Sequence, residues 1–265
     1  MTRVVILEAN TPEIIDARRA RAISNAAECF EIAFRDLEIE IETQIVVPYR
    51  EPFDAGVLDD FEAAIFTGSG VSWSVDAPEG RELAKACEAV FAHGMPVFGS
   101  CNGLQMASHL LGGNVQASPN GNEMGLAREL KLTAQGNLHA MMAGRENGYC
   151  VPCIHRDEVG RLPDGAKLLA FNSHSPVQAF SYIGNGVDFW GVQYHPEMTV
   201  TNVAELLLDR RNPLEAKEDA LIKELLAVET DEAIAERFGT RTEAQRVETR
   251  TLELQNWVAY LKALS

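Results

Sequence analysis

Between Pro96 and Gly113 the chain makes a transition that few folds can host. A strand-forming run, Pro96–Gly99, passes through Gly99-Ser100-Cys101-Asn102-Gly103 into a helix over Asn102–Leu111 that stops at Gly112-Gly113. A turn this sharp lifts its central residue clear of a sheet. It also brings the positions two before and two after it close together, so glycine fits at both. The following helix points its first N–H groups at the Cys101 sulfur, which favours the thiolate. By itself the five-residue pattern suits a buried structural cysteine as well as a nucleophile.

The rest of the chain supplies the sheet that this turn requires. Strand-like segments at Val4–Glu8, Glu42–Val47, Ala63–Thr67 and Pro96–Gly99 alternate with helix-like ones. One helical stretch runs from Pro12 to Phe34, with Ile23, Ala27, Phe30 and Phe34 at helical spacing. Another, Glu79–His93, carries Leu83, Cys87, Val90 and Phe91 on one stripe and ends at Gly94. Such alternation predicts an α/β fold, a doubly wound, mostly parallel sheet with helices on both faces. Residues 115–192 are more β-like, with Leu168–Phe171 and Phe189–Gln193 clearest. Beyond Pro196 the character turns helical, interrupted only at Pro213 and Gly239. Two apolar stripes mark that part: Leu221, Ile222, Leu225 and Leu226, then Val247, Leu254, Trp257, Val258 and Leu261. We therefore expect a domain over residues 1–199 and a helical C-terminal extension over 200–265. The extension should dock on its own chain rather than form a homo-oligomeric interface, and supply no reacting group.

Charge narrows the function. The 265 residues hold 23 Lys and Arg against 39 Asp and Glu, a net charge of −16. That disfavours sequence-independent binding to nucleic acid or to anionic membranes. No apolar run is long enough to span a bilayer. The N-terminus enters a strand at once, which leaves no room for a signal peptide, and five cysteines make no disulfide framework. Both point to the cytoplasm.

Gln105 follows Gly103 by two residues, and far downstream stands Gly191-Val192-Gln193-Tyr194-His195-Pro196-Glu197. His195 and Glu197, two apart at a strand end, are an imidazole with a carboxylate to fix its tautomer. Cysteine, histidine and carboxylate in this order, each at a strand terminus, rarely arise by accident.

Together these segments resemble the class I glutamine amidotransferases. The likeness rests on Phe98–Gln105 with Gly112-Gly113, on Gly191–Glu197, on the oxyanion-loop-like Ile65-Phe66-Thr67-Gly68-Ser69-Gly70, and on His155-Arg156-Asp157-Glu158-Val159 of GMP-synthase-like members. It implies a flavodoxin-like sheet, a Cys101–His195–Glu197 triad, and an oxyanion hole from the N–H groups of Ser69 and Asn102. It also places Gly68 and Gln105 at the substrate. Gly70 stands where proline is common, and Ser100 where an apolar residue is usual. The implied reaction is hydrolysis of the glutamine amide through a cysteine thioester, with no cofactor or metal. With no room for a synthetase domain, either a separate synthetase subunit takes up the ammonia or the chain acts alone. The alternative is a γ-glutamyl peptidase or transferase using the same triad, and a third is a catalytically silent subunit, against which the intact triad argues.

Other features read blandly. Cys150-Val151-Pro152-Cys153 opens no helix and lacks a second pair, so it reads as two ordinary thiols. Cys29 and Cys87 belong to apolar helical faces. Gly68-Ser69-Gly70 lacks the lysine of a phosphate loop. His174, in Asn172-Ser173-His174-Ser175, is a candidate for the pocket border.

Overall fold

The computed structural model describes residues 1–210 and 216–264, so the interruption expected at Pro213 lies outside the described residues. The first half contains β1 (Thr2–Leu7), α1 (Pro12–Arg19), α2 (Ala26–Asp36), β2 (Ile41–Val46), β3 (Ala63–Phe66), α3 (Arg81–His93), β4 (Pro96–Ser100) and α4 (Asn102–Leu110). Seven strands follow: β5 (Asn114–Ala117), β6 (Glu123–Leu132), β7 (Tyr149–His155), β8 (Asp157–Arg161), β9 (Lys167–Phe171), β10 (Ala179–Gly184) and β11 (Val187–Val192). The chain then turns helical, with α5 (Val200–Arg210), α6 (Ala216–Leu225), α7 (Glu232–Arg237), α8 (Val247–Arg250) and α9 (Leu252–Leu264).

Nine strands form one sheet in the order β2-β1-β3-β4-β11-β10-β9-β6-β7. The first five are parallel, in the flavodoxin-like arrangement; β10, β9, β6 and β7 continue the sheet antiparallel. The β-like 115–192 region is thus largely an extension of the central sheet, while β5 and β8 pair separately.

Alternation along β1 explains the two layers. Val4 and Ile6 face a core with Phe30 and Phe34 of α2, whereas Val5 and Leu7 face one with Leu83, Cys87 and Val90 of α3 and Leu104 of α4. The C-terminal helix α9 completes the first layer. Leu254, Trp257, Val258 and Leu261 join that core, and the Trp257 ring lies 5.8 Å from Phe98. Helices α5 and α6 cover β6 and β7 through Val200, Ala204, Ile222 and Leu225. Leu226, expected on that stripe, is exposed, because the helix ends at Leu225.

The single helical stretch expected over Pro12–Phe34 is two helices. Ala22 takes a positive φ of 56° between them, and Glu28 starts α2 by accepting the Asn25 N–H at 2.8 Å. α3 ends as the sequence indicates, with Gly94 left-handed at φ 82°. No described helix is long and apolar enough to cross a membrane.

Candidate active site

Three strand ends converge. β3 runs into Gly68, β4 into Cys101 and β11 into His195, all at the carboxyl edge of the parallel half. Cys101 sits between β4 and α4 at φ 51° and ψ −105°, a conformation that costs a non-glycine residue on the order of 1–3 kcal/mol. Its N–H is tied to the Val192 carbonyl at 2.8 Å, which fastens the turn to β11. The flanking glycines are steric necessities. A Cβ at Gly99 would meet the Phe189 ring at 2.8 Å, and one at Gly103 would run into the Phe66 carbonyl.

His195 and Glu197 are almost fully buried, and His195 Nδ1 lies 2.8 Å from Glu197 Oε1. Burial alone would push the imidazole down. The Glu197 carboxylate and the Cys101 sulfur outweigh it and hold His195 up at about 10. Its Nε2 is buried and has no geometric hydrogen-bond partner among the described residues. Gly68 is what lets the ring approach: a Cβ there would stand 2.6 Å from His195 Cε1 and 3.6 Å from Cys101 Cβ. The expected triad residues are therefore brought together, with Gly68 packed against two of them.

A cavity of about 300 Å³ opens beside Cys101, lined by Ser69, Trp73, Asn102, Gln105, Arg156 and Asp157 among others. Asn102 begins α4, so its N–H has no partner within the helix. Gln105 commits its amide nitrogen to the Asp157 carbonyl at 2.6 Å and to Gln193 Oε1 at 3.2 Å, which turns its amide oxygen elsewhere. Arg156 pairs with both oxygens of Asp157, at 2.9 and 2.7 Å. Gly68 itself does not line this cavity.

Several supporting residues carried no local signal. Ser100, noted above only as a departure, donates its buried hydroxyl to Glu197 Oε1 at 2.8 Å and lies 3.3 Å from His195 Nδ1. The loop after β3 is held by the loop after β1: Asn10 Oδ1 accepts the Gly70 N–H at 2.6 Å, and Ser69 Oγ donates to the Ala9 carbonyl at 2.7 Å. Glu8 in turn accepts from Asn10 Nδ2 at 2.6 Å and from the Ala27 N–H at 2.8 Å. Burial pushes its carboxyl above the ordinary value despite those bonds.

Cys150 and Cys153 lie three apart on β7, which sends them to opposite faces and into different cores. Neither a disulfide nor a chelate can form between them. Cys153 shares its face with His155, and across the ladder stands Glu123, paired in register with His155. The potential ligand atoms of Glu123, Cys153 and His155 lie within 4.8 Å of one another. Glu123 is already closed by hydrogen bonds, however: from Asn172 Nδ2 at 2.7 Å, from Gln178 Nε2 at 2.7 Å and with His155 Nε2 at 2.9 Å. Burial would raise its carboxyl, but these contacts hold it below the ordinary value. A cation there would have to displace them. His174 borders a neighbouring cavity instead, its ring 5.6 Å from that of His155.

Comparison with known proteins meets this geometry. The family model described as glutamine amidotransferase class-I matches residues 31–211. The chain is 30% identical to a γ-glutamyl-L-1-hydroxyisopropylamide hydrolase of a Pseudomonas species, over 88% of this chain and 83% of that one. It is 31% identical to the glutamine-hydrolysing GMP synthase of Wolinella succinogenes over 62% of this chain, but spans only 30% of that enzyme. Among solved structures, a glutamine amidotransferase from Thermotoga maritima superposes with a TM-score of 0.65 at 19% identity, over 98% of this chain and 97% of that one.

Proposed function

The chain belongs to the class I glutamine amidotransferase family, and on that premise we propose that it hydrolyses a γ-glutamyl amide through a thioester on Cys101. The observation that carries this reading is the meeting of Cys101, His195 and Glu197 beside a cavity, with Cys101 on a strained turn.

On this reading each group has its own role. The Cys101 thiolate attacks the γ-carbonyl carbon, and the oxygen that gains charge is received by the N–H groups of Asn102, at a helix start, and Ser69. The His195 imidazolium gives its Nε2 proton to the departing nitrogen, and the C–N bond breaks to leave a γ-glutamyl thioester. Neutral His195 then takes a proton from water, whose oxygen attacks the thioester and frees glutamate and the thiolate. Glu197 holds Nδ1–H and stabilises the imidazolium. The Arg156–Asp157 pair on the cavity wall offers both signs of charge, as the amino-acid end of a γ-glutamyl group requires.

The leaving group distinguishes two readings. Glutamine releases ammonia for a separate acceptor, as in the first expectation from sequence. A substituted γ-glutamyl amide releases an amine, and no second subunit is needed. The likeness over 88% of the chain to a hydrolase of one such amide favours the latter. Glutamate release from glutamine, γ-glutamyl isopropylamide and γ-glutamyl dipeptides, with wild type and Cys101→Ala, tests both. A preference for the alkylamide supports this reading and a preference for glutamine restores the other. Release that survives in Cys101→Ala refutes the mechanism.

A further inference from the structure

The segment carrying the catalytic pair, Tyr194-His195-Pro196-Glu197-Met198, lies beyond the end of β11 and before α5, and its His195 N–H is tied to the Pro152 carbonyl of β7 at 2.8 Å. Two residues of the C-terminal helices hold its two ends as well. Immediately before His195, the Tyr194 hydroxyl donates to Glu253 Oε1 at 2.7 Å. Immediately after Glu197, the Met198 carbonyl accepts from Arg250 Nε at 2.9 Å. The two anchors are joined: Arg145 meets both oxygens of Glu253, at 2.8 and 2.7 Å, and its Nη2 donates to the Arg250 carbonyl at 2.7 Å. Tyr194 and Glu253 are completely buried, and Arg250 nearly so.

We propose that Arg250 and Glu253 are positioning residues that grip the His195–Glu197 segment from both sides, so that triad geometry depends on the docking of α8 and α9. The inference rests on the triad reading above. Stability alone does not call for this arrangement. Leu254, Trp257 and Leu261 already supply apolar adhesion, and a buried ion pair contributes little beyond what an apolar pair of the same volume would. Hydrogen bonds are directional where apolar contact is not. Two of them, bracketing a five-residue segment, fix where an imidazole points.

Two tyrosines separate the grip from general packing. Tyr149 and Tyr194 share a hydroxyl contact at 2.9 Å, but only Tyr194 bonds Glu253. Tyr194→Phe and Tyr149→Phe each remove one buried hydroxyl from that pair, and only the first severs the link. The readouts are kcat and KM for the best γ-glutamyl amide, and the rate of Cys101 alkylation by iodoacetamide near neutral pH, which follows thiolate content. Tyr194→Phe should lower kcat about tenfold with KM unchanged and slow alkylation comparably, while Tyr149→Phe stays within about twofold of wild type. Arg250→Met should behave as Tyr194→Phe, and Arg250→Lys, which keeps a donor, should recover part of the loss. Should one severing variant fail to fold, the other decides. Wild-type rates in a folded severing variant overturn the proposal, as do equal losses in both tyrosine variants. A wild type that alkylates readily but cleaves no γ-glutamyl amide would sink the functional reading and leave the grip testable by alkylation.

Discussion

Replacing Ser100 by alanine removes one oxygen atom from a completely buried position and leaves the backbone of β4 free to stay where it is. That oxygen donates to Glu197 Oε1 at 2.8 Å, while the other carboxylate oxygen is buried without a partner among the described residues. The lost contact is a hydrogen bond to a charged group, worth about 1.5–3 kcal/mol. At 1.36 kcal/mol per decade, a loss of that size at the carboxylate that orients His195 and stabilises its imidazolium lowers kcat/KM by about tenfold to a hundredfold. KM should change little, because Ser100 does not line the cavity beside Cys101. The measurement is steady-state glutamate release for wild type and Ser100→Ala, with thermal melts to show that both are folded. An unchanged kcat/KM in a folded Ser100→Ala enzyme would show that the hydroxyl fills space and nothing more.

Three other outcomes are expected. A glutamine-analogue electrophile should label Cys101 alone in the folded protein, because burial pushes the thiols of Cys29, Cys87, Cys150 and Cys153 up, Cys150 to about 12; peptide mass mapping reads this directly, and label chiefly at Cys150 or Cys153 contradicts it. Gly68→Ala sets a methyl 2.6 Å from His195 Cε1 and should lower kcat by about a hundredfold with a near-normal melting temperature. Trp257→Ala empties the largest fully buried side chain and should destabilise the fold by about 3–5 kcal/mol in denaturant titrations, which a shift under about 1 kcal/mol would contradict.

What the sequence shows and what it hides divide along contact distance. The Gly99–Gly103 turn was legible because its reason is local: two glycines, a strand before and a helix after. Parallel strands such as β1, β3 and β4 were legible for the same reason, each being a short apolar run next to an amphipathic helix. The break between α1 and α2 was not, because it turns on Ala22 at positive φ, which no local residue preference announces. Nor did the β-like run of 115–192 reveal its destination, since nothing in β9 or β6 alone says that it extends the same sheet. Ser100 looked like a departure because its partner lies 97 positions away. Arg250 and Glu253 read as ordinary polar positions beside an apolar stripe, and only folding sets them against Met198 and Tyr194.

The backbone of Cys101 has a consequence for how such a chain can change over generations. Its φ of 51° and ψ of −105° belong to a region that glycine enters freely and cysteine does not. A Cys101→Gly protein would shed on the order of 1–3 kcal/mol of local strain while losing the thiol proposed as nucleophile. On that reading, robustness and reaction pull in opposite directions at this one position, and the sequence that carries the chemistry is the less durable of the two.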